Sequence, residues 1–404
     1  MTKCHYYLFN DLQKLILVKL KIVVPLVKIK ITGMNSKFKY FTDVNFPNRY
    51  ISPEKLFSYL QDNYGQNIEL VGKSVLGLPI YKFSKGSRNV KVLAWSQMHG
   101  NESTATLAML DLLYGFQQEP ELGEALFEKI SLDFIFMLNP DGSKVWTRRN
   151  ACDVDMNRDF LKEASPEIRI LKEIANSKKY DYALNLHDQR TIFTTDGKHP
   201  ATLSFLAPSF DVERSLNENR KKSMAIISYI YTSLENKMPN RIGRYSDEFY
   251  PMSTGDNFML SGLPTILFEG GHSENDYLRK DTRKYYTHAL YYALAGMSLI
   301  PNQTYNYESY FDIPQNKESH YDIIYRNVKL NTDFHCVLDI AVQYKEVIKE
   351  GEKEISFIPI IAEVGDLSRK KAWKDIDASA LKIISETKFP KIDQEVNFSF
   401  EEIL

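Results

Sequence analysis

Five short apolar runs, each ending in a polar residue or a turn, constrain this chain more than any other feature: Val90–Ser96, 132–138, 182–186, 202–207 and 264–268. Runs of this length suit strands buried on both faces. The segments between them read as helices. Ser52-Pro53-Glu54 offers a cap, a first-turn proline and an acid, so a helix starts there. Residues 104–114 carry Leu107, Leu110, Leu113 and Tyr114 at helical spacing. Ser165-Pro166-Glu167 opens a helix to about residue 178, a long helix follows over 212–235, and a closing helix spans 282–299. Residues 70–83 read as two short strands around a turn at Gly77, and Asn139-Pro140-Asp141-Gly142 as a turn that closes the second apolar run. Buried strands alternating with helices predict an α/β fold, with a mixed central sheet and helices on both faces.

Two regions depart from this rhythm. After residue 300, the stretches 321–330, 336–344 and 355–364 alternate like strands and carry few helix signals. The expected organisation is a main domain over 34–305 and a small β-rich domain over 310–404. At the other end, 12–31 is apolar, but Lys14, Lys19, Lys21, Lys28 and Lys30 interrupt it and Pro25 breaks it. A spanning helix needs about 20 mostly apolar residues, and each central lysine costs roughly 2.5–3.5 kcal/mol. No small-residue cleavage pattern of a secretory signal follows. Residues 1–33 are therefore expected to be an appendage outside the fold, with Met34 as a second start; a membrane-surface amphipathic segment is the rival reading.

Composition excludes some partners. A net charge of −1 lacks the basic excess of a nucleic-acid binder. The three cysteines, Cys4, Cys152 and Cys336, are far apart, so neither a disulfide framework nor a thiolate metal site is expected. A reducing, cytoplasmic setting fits this usage. A metal, if bound, takes His and carboxylate ligands.

Such ligands stand where the strands run out. His99-Gly100-Asn101-Glu102 follows the first run, and a His and a Glu three apart can meet on one Zn²⁺. Alone, the pair is equally a polar turn. Its place at the carboxyl edge of a sheet, where open α/β folds bind ligands, favours chemistry. His187 ends the third run and is the expected third protein ligand, since a catalytic zinc wants three ligands and an open position. Glu269 ends the fifth run; an acid there is costly unless paired or functional, and it is suited to take a proton from water at the metal. Arg148-Arg149-Asn150 and Asp155-Met156-Asn157-Arg158 add guanidinium forks that match a carboxylate or an oxyanion.

The set resembles the M14 zinc carboxypeptidases, in their shorter bacterial form. His99-x-x-Glu102, the Asn-Pro-Asp-Gly turn at 139–142, Asn157-Arg158, His187 after a strand and Glu269 near the domain end occur in that family's order; Val71-Gly72-Lys73-Ser74 through Ile80 resembles its entry hairpin. The resemblance covers about 45–300 and implies a zinc-dependent carboxypeptidase with one Zn²⁺ per chain. It makes His99, Glu102 and His187 the zinc ligands, and Glu269 the base that activates water and then protonates the leaving amine. Arg148, preferred to Arg149 by its distance from Asn157-Arg158, would polarise the scissile carbonyl. Asn157 and Arg158 would hold the free terminal carboxylate of a peptide substrate. A tyrosine some twenty residues before the base is expected at the site, and both Tyr245 and Tyr250 lie in range. Ser253-Thr254-Gly255-Asp256 falls near the expected floor of the specificity pocket. Two rivals share the fold: a zinc deacylase of the aspartoacylase or succinylglutamate-desuccinylase type, and a zinc-binding module without catalysis. Murein peptides are a further substrate class.

Overall fold

The computed structural model describes residues 38–402 except 88–89, 300–305, 331–335, 350, 386 and 388; the appendage expected at 1–33 lies outside the described residues. Helix α1 (Pro53–Tyr64) starts where the sequence places it, with the Ser52 side chain accepting from the Lys55 amide. The chain then forms β1 (Ile68–Lys73), β2 (Pro79–Lys85), β3 (Val90–Ser96), α2 (Thr104–Gln118), α3 (Pro120–Phe127), β4 (Ile130–Phe136), α4 (Pro140–Lys144), α5 (Pro166–Ser177), β5 (Tyr182–Asp188) and β6 (Phe193–Thr194). It continues through β7 (Leu203–Leu206), α6 (Glu218–Leu234), β8 (Ile242–Arg244), α7 (Thr254–Leu260), β9 (Thr265–Gly270) and α8 (Lys280–Leu299).

Eight strands form one mixed sheet in the order β1-β2-β4-β3-β5-β9-β7-β8. Strands β4, β3, β5 and β9 run parallel at its centre, and β2 and β7 pair antiparallel on either side. Side chains alternate across a strand. Leu93, Trp95 and Ile135 therefore join one buried face with Ile168, Leu171 and Ile174 of α5. Phe268 lies on the other face and stacks on Tyr286 of α8 at 5.7 Å. Helices thus cover both faces, as the sequence predicts.

Two elements differ in detail. The helix expected over 212–235 begins only at Glu218, because Asn217 caps it and Arg214 takes a left-handed φ of 57° that a helix interior excludes. The expected Asn-Pro-Asp-Gly turn is the start of α4, with Asn139 Oδ1 accepting from the Gly142 amide at 2.9 Å.

Beyond α8 the described regular elements are strands, apart from a 3-10 helix at Tyr307–Asp312. Lys317–Glu318 (β10) pairs with β6. A four-stranded sheet follows in the order β13-β12-β11-β14, from His320–Lys329 (β11), Val337–Val347 (β12), Ser356–Gly365 (β13) and Lys371–Asp377 (β14). The hairpin of β15 (Leu381–Ser385) and β16 (Phe398–Glu402) completes a second core with it, around Val328, Ile340, Val342, Ile361 and Ile383. Among the described residues, no helix is long and apolar enough to cross a membrane.

Candidate metal centre

The site lies where β3, β5 and β9 end. The first loop is held by backbone contact. A Cβ on Gly100 would sit 2.1 Å from the Gly142 carbonyl carbon, so the loop after β3 packs directly on the start of α4 and only glycine fits. Gln97 turns the chain out of β3 with a left-handed φ of 47°. Its buried side chain donates to Gly100 O and Ser143 Oγ, both at 2.9 Å, and accepts from Thr106 Oγ1 at 2.6 Å. Those bonds fix the turn that delivers His99.

The other two positions come from strand register. His187 and Glu269 are direct partners in the parallel ladder of β5 and β9, so both side chains leave the same face of adjacent strands. Arg279 braces the two strand ends, donating to Gly270 O and, at 2.6 Å, to Gln189 O.

His99, Glu102 and His187 converge: each offers a ligand atom, and these atoms lie within 4.8 Å of one another. The Nδ1 atoms of the two histidines are 3.2 Å apart, and each lies 2.8 Å from a different oxygen of Glu102. Two imidazole nitrogens and a carboxylate, all buried and aimed at one point, form the donor set of a catalytic zinc. Burial acts to lower the His99 imidazolium, but the charge of Glu102 and the hydrogen bonds to Asp155 and Glu102 raise it above its ordinary value, a rise that a cation at the trio would oppose. The other two groups fit a metal site as they stand. Burial pushes the His187 imidazolium down, so the ring is a neutral donor. Burial would raise Glu102, but the charges of His99 and then His187 hold it well below the usual carboxylate range, as an anion ready for a cation.

Asp155 is a member of the site that the sequence motifs quoted without assigning. Its Oδ1 lies 3.1 Å from His99 Nε2, so Nδ1 is the ring nitrogen that faces the trio. Its Oδ2 accepts from Arg148 Nε at 3.0 Å. Burial acts to raise the Asp155 carboxyl, but the His99 hydrogen bond and the charges of His99 and Arg148 override it and hold the group low. Arg148 also extends Nη1 to Glu102 Oε1 at 3.2 Å. Arg149 points away and pairs with exposed Asp153 at 3.7 Å.

Glu269 has a shielded Oε2 with no hydrogen-bond partner. Burial, then the charges of Glu102 and Asp188, push its carboxyl well above the ordinary range. A divalent cation at the neighbouring trio would oppose that rise.

The remaining expected residues divide between two ends. Asn157 Oδ1 accepts from the Thr254 amide at 3.0 Å, which ties it to the start of α7. Arg158 lies 5.6 Å from the ring of exposed Tyr250. Tyr245 packs on Phe193, and burial followed by the charges of Glu269 and Glu102 keeps its hydroxyl protonated. Asp256 is occupied by Ser253, whose hydroxyl donates to it while capping α7.

Comparison with known proteins follows this geometry. The family model for zinc carboxypeptidase matches residues 54–258. Carboxypeptidase 2 of Trichophyton rubrum is 31% identical over 102 residues, 25% of this chain and 19% of that protein. Carboxypeptidase SOL1 of Arabidopsis thaliana is 30% identical over 106 residues, 24% and 21% of the two chains. The chain thus spans about a fifth of the length of these curated relatives. A metallo-carboxypeptidase structure from Burkholderia cenocepacia superposes with a TM-score of 0.50 at 17% identity, covering 62% of this chain and 70% of that one. That likeness shows the fold. Together with the buried His-Glu-His trio, the family match over half of the sequence makes this chain a member of the zinc carboxypeptidase family.

Proposed function

We propose that this protein is a zinc-dependent carboxypeptidase that removes the last residue of a peptide. One observation carries the reading: His99, Glu102 and His187 meet within 4.8 Å, and Glu269 is the register neighbour of His187. These three residues would hold one Zn²⁺ per chain, with Asp155 orienting His99. Zinc bound there lowers the pKa of water and draws charge from a carbonyl oxygen.

The chain's own groups do the rest. Glu269 takes a proton from the attacking water and then gives it to the leaving amine nitrogen; its Oε2, which has no hydrogen-bond partner, is free for both steps. Arg148 donates to the oxygen of the scissile carbonyl as that oxygen gains charge. Asn157 and Arg158 bind the terminal carboxylate, and Tyr250, beside Arg158, covers it. Tyr245 stays protonated near Glu269 and serves as a hydrogen-bond donor on the other side. Residues 34–305 form the catalytic domain, and 310–404 a small β-rich domain that walls the site. The free thiols of Cys152 and Cys336 fit a cytoplasmic setting.

The test is a panel of dipeptides, murein peptides and N-acyl amino acids, assayed before and after chelation and after zinc is returned. Release of C-terminal residues, lost on chelation and restored by zinc, is expected. Activity on N-acyl amino acids alone, or activity that survives complete metal removal, overturns the reading.

A further inference from the structure

A cleft of about 470 Å³ leaves the metal centre towards the C-terminal sheet. Glu102 and Arg148 belong to both the trio's surroundings and the cleft, whereas Asn157, Arg158 and Tyr250 do not line it. Strand β12 supplies its far wall through residues 343–346, and the loop after β5 supplies Arg190.

The charges in this cleft do not cancel. Arg49 is neutralised by Glu346 at 2.6 Å, and Arg279 by Asp188 at 3.6 Å. Glu102 belongs to the metal trio, and Arg148 is held by Asp155. Arg190 and Lys345 are left over: both line the cleft, both are exposed, and neither has a carboxylate partner among the described residues. A second observation is independent of these two cations. Arg49 is 4% exposed, lines the same cleft, and its Nε has no hydrogen-bond partner. A buried guanidinium donor left unmade is costly, but this one is shielded as well, so an acceptor in the cleft meets it only if the Arg49 side chain shifts.

Building on the carboxypeptidase reading, we propose that the cleft between β12 and Arg190 binds the residues just before the scissile bond and selects acidic side chains there. With the terminal carboxylate held at Asn157 and Arg158, the acyl side of the substrate runs past Glu102 and Arg148 into this cleft. A Glu or Asp at that position meets Arg190 and Lys345. Both free cations are solvent-exposed, so their contribution is modest and sensitive to salt.

The experiment uses N-acetylated peptides that share the C-terminal residue released best and differ only before it: Glu, Gln or Lys. The expected kcat/KM order is Glu above Gln above Lys, with about a tenfold step between Glu and Gln at low salt. That step shrinks at high salt, and it falls to about one in the Arg190→Gln, Lys345→Gln double variant. The same peptides, fluorescently labelled, are titrated against zinc-loaded Glu269→Gln protein, which reads the preference as binding without turnover. Hydrolysis with equal Glu and Gln rates and equal affinities overturns the cleft and leaves the peptidase intact. A Glu preference in binding without hydrolysis of any peptide does the reverse. A preference that the double variant retains also overturns the assignment to Arg190 and Lys345.

Discussion

The metal centre and the β12 side of the cleft beside it, two walls of one site, are built in opposite ways. The wall of β5 and β9 is held by backbone: register places His187 beside Glu269, and Arg279 bonds the carbonyls that follow both positions. The wall of β12 is held to the rest by side chains. Glu346 pairs with buried Arg49 and accepts from Trp146 Nε1 at 3.3 Å, and Gln343 donates to Thr191 Oγ1 at 2.8 Å. Trp373 donates to Thr191 O at 2.9 Å, stacks on His320 and lies tilted against His272. A wall fixed by register cannot be moved without unfolding strands. A wall fixed by side chains can be loosened one contact at a time. Chemistry and fold stability should therefore separate at the first wall and travel together at the second.

Glu269→Gln should show the separation at its largest. The substitution keeps the shape and removes the proposed base, so kcat should fall about 10³-fold. Zinc content and Tm should hardly change, because the metal trio and the ladder remain. His187→Ala instead should lose the zinc along with activity. Near-normal turnover in Glu269→Gln would show that the proton leaves by another route.

Glu346→Ala should break the second wall. It strands the Arg49 guanidinium, which burial already pushes down, without the carboxylate that Arg49 faces. Removing one partner of a buried pair costs about 3 kcal/mol or more. Urea unfolding should show that loss, and hydrolysis should weaken with it, because Trp146 loses its acceptor in the same cleft. The Arg49→Met, Glu346→Leu double variant should recover much of the stability and little of the activity. Equal stability of Glu346→Ala and the parent would mean that this pair does not hold the wall.

The same contrast explains what could be read from the sequence. The trio stands at strand ends, and strand ends follow from apolar runs that alternate with helices. His99 and Glu102 also share one loop, so local spacing announces them. Asp155 was visible as part of a charged run, but its tie to His99 spans 56 residues and has no period. Gln97 gave no signal, because its role depends on a left-handed turn and on Ser143 across the next loop. Arg279 and Glu346 act at sequence separations of 90 and 297 residues, which no pattern encodes. The β-rich character beyond residue 310 showed as alternation. That β12 lines the cleft did not, since alternation tells which face is buried and not what buries it. The two tyrosines stayed equivalent because both lie in range of Glu269; only packing separates Tyr250 beside Arg158 from Tyr245 beside the carboxylates.

Acid should loosen the second wall as well. His272 is buried against Trp373, and burial, then the charges of Arg279 and Arg49, pushes its imidazolium down to about 3. His320, stacked on Trp373, is pushed the same way by burial and Lys371. In the unfolded chain a histidine titrates near its ordinary value of about 6.5. The native state therefore binds fewer protons than the unfolded state between those two values. The stabilising contribution of neutral His272 is complete above about 6.5 and is lost progressively as pH falls towards 3. The slope is about 1.4 kcal/mol per pH unit for one such group. His272→Phe keeps a ring against Trp373 without the proton, so its unfolding free energy should fall less steeply between pH 6 and 4, by roughly that slope. Urea titrations at half-unit pH steps measure the difference. Parallel curves for the variant and the parent would place the acid-sensitive group elsewhere and remove His272 from the account of how the β12 wall is held.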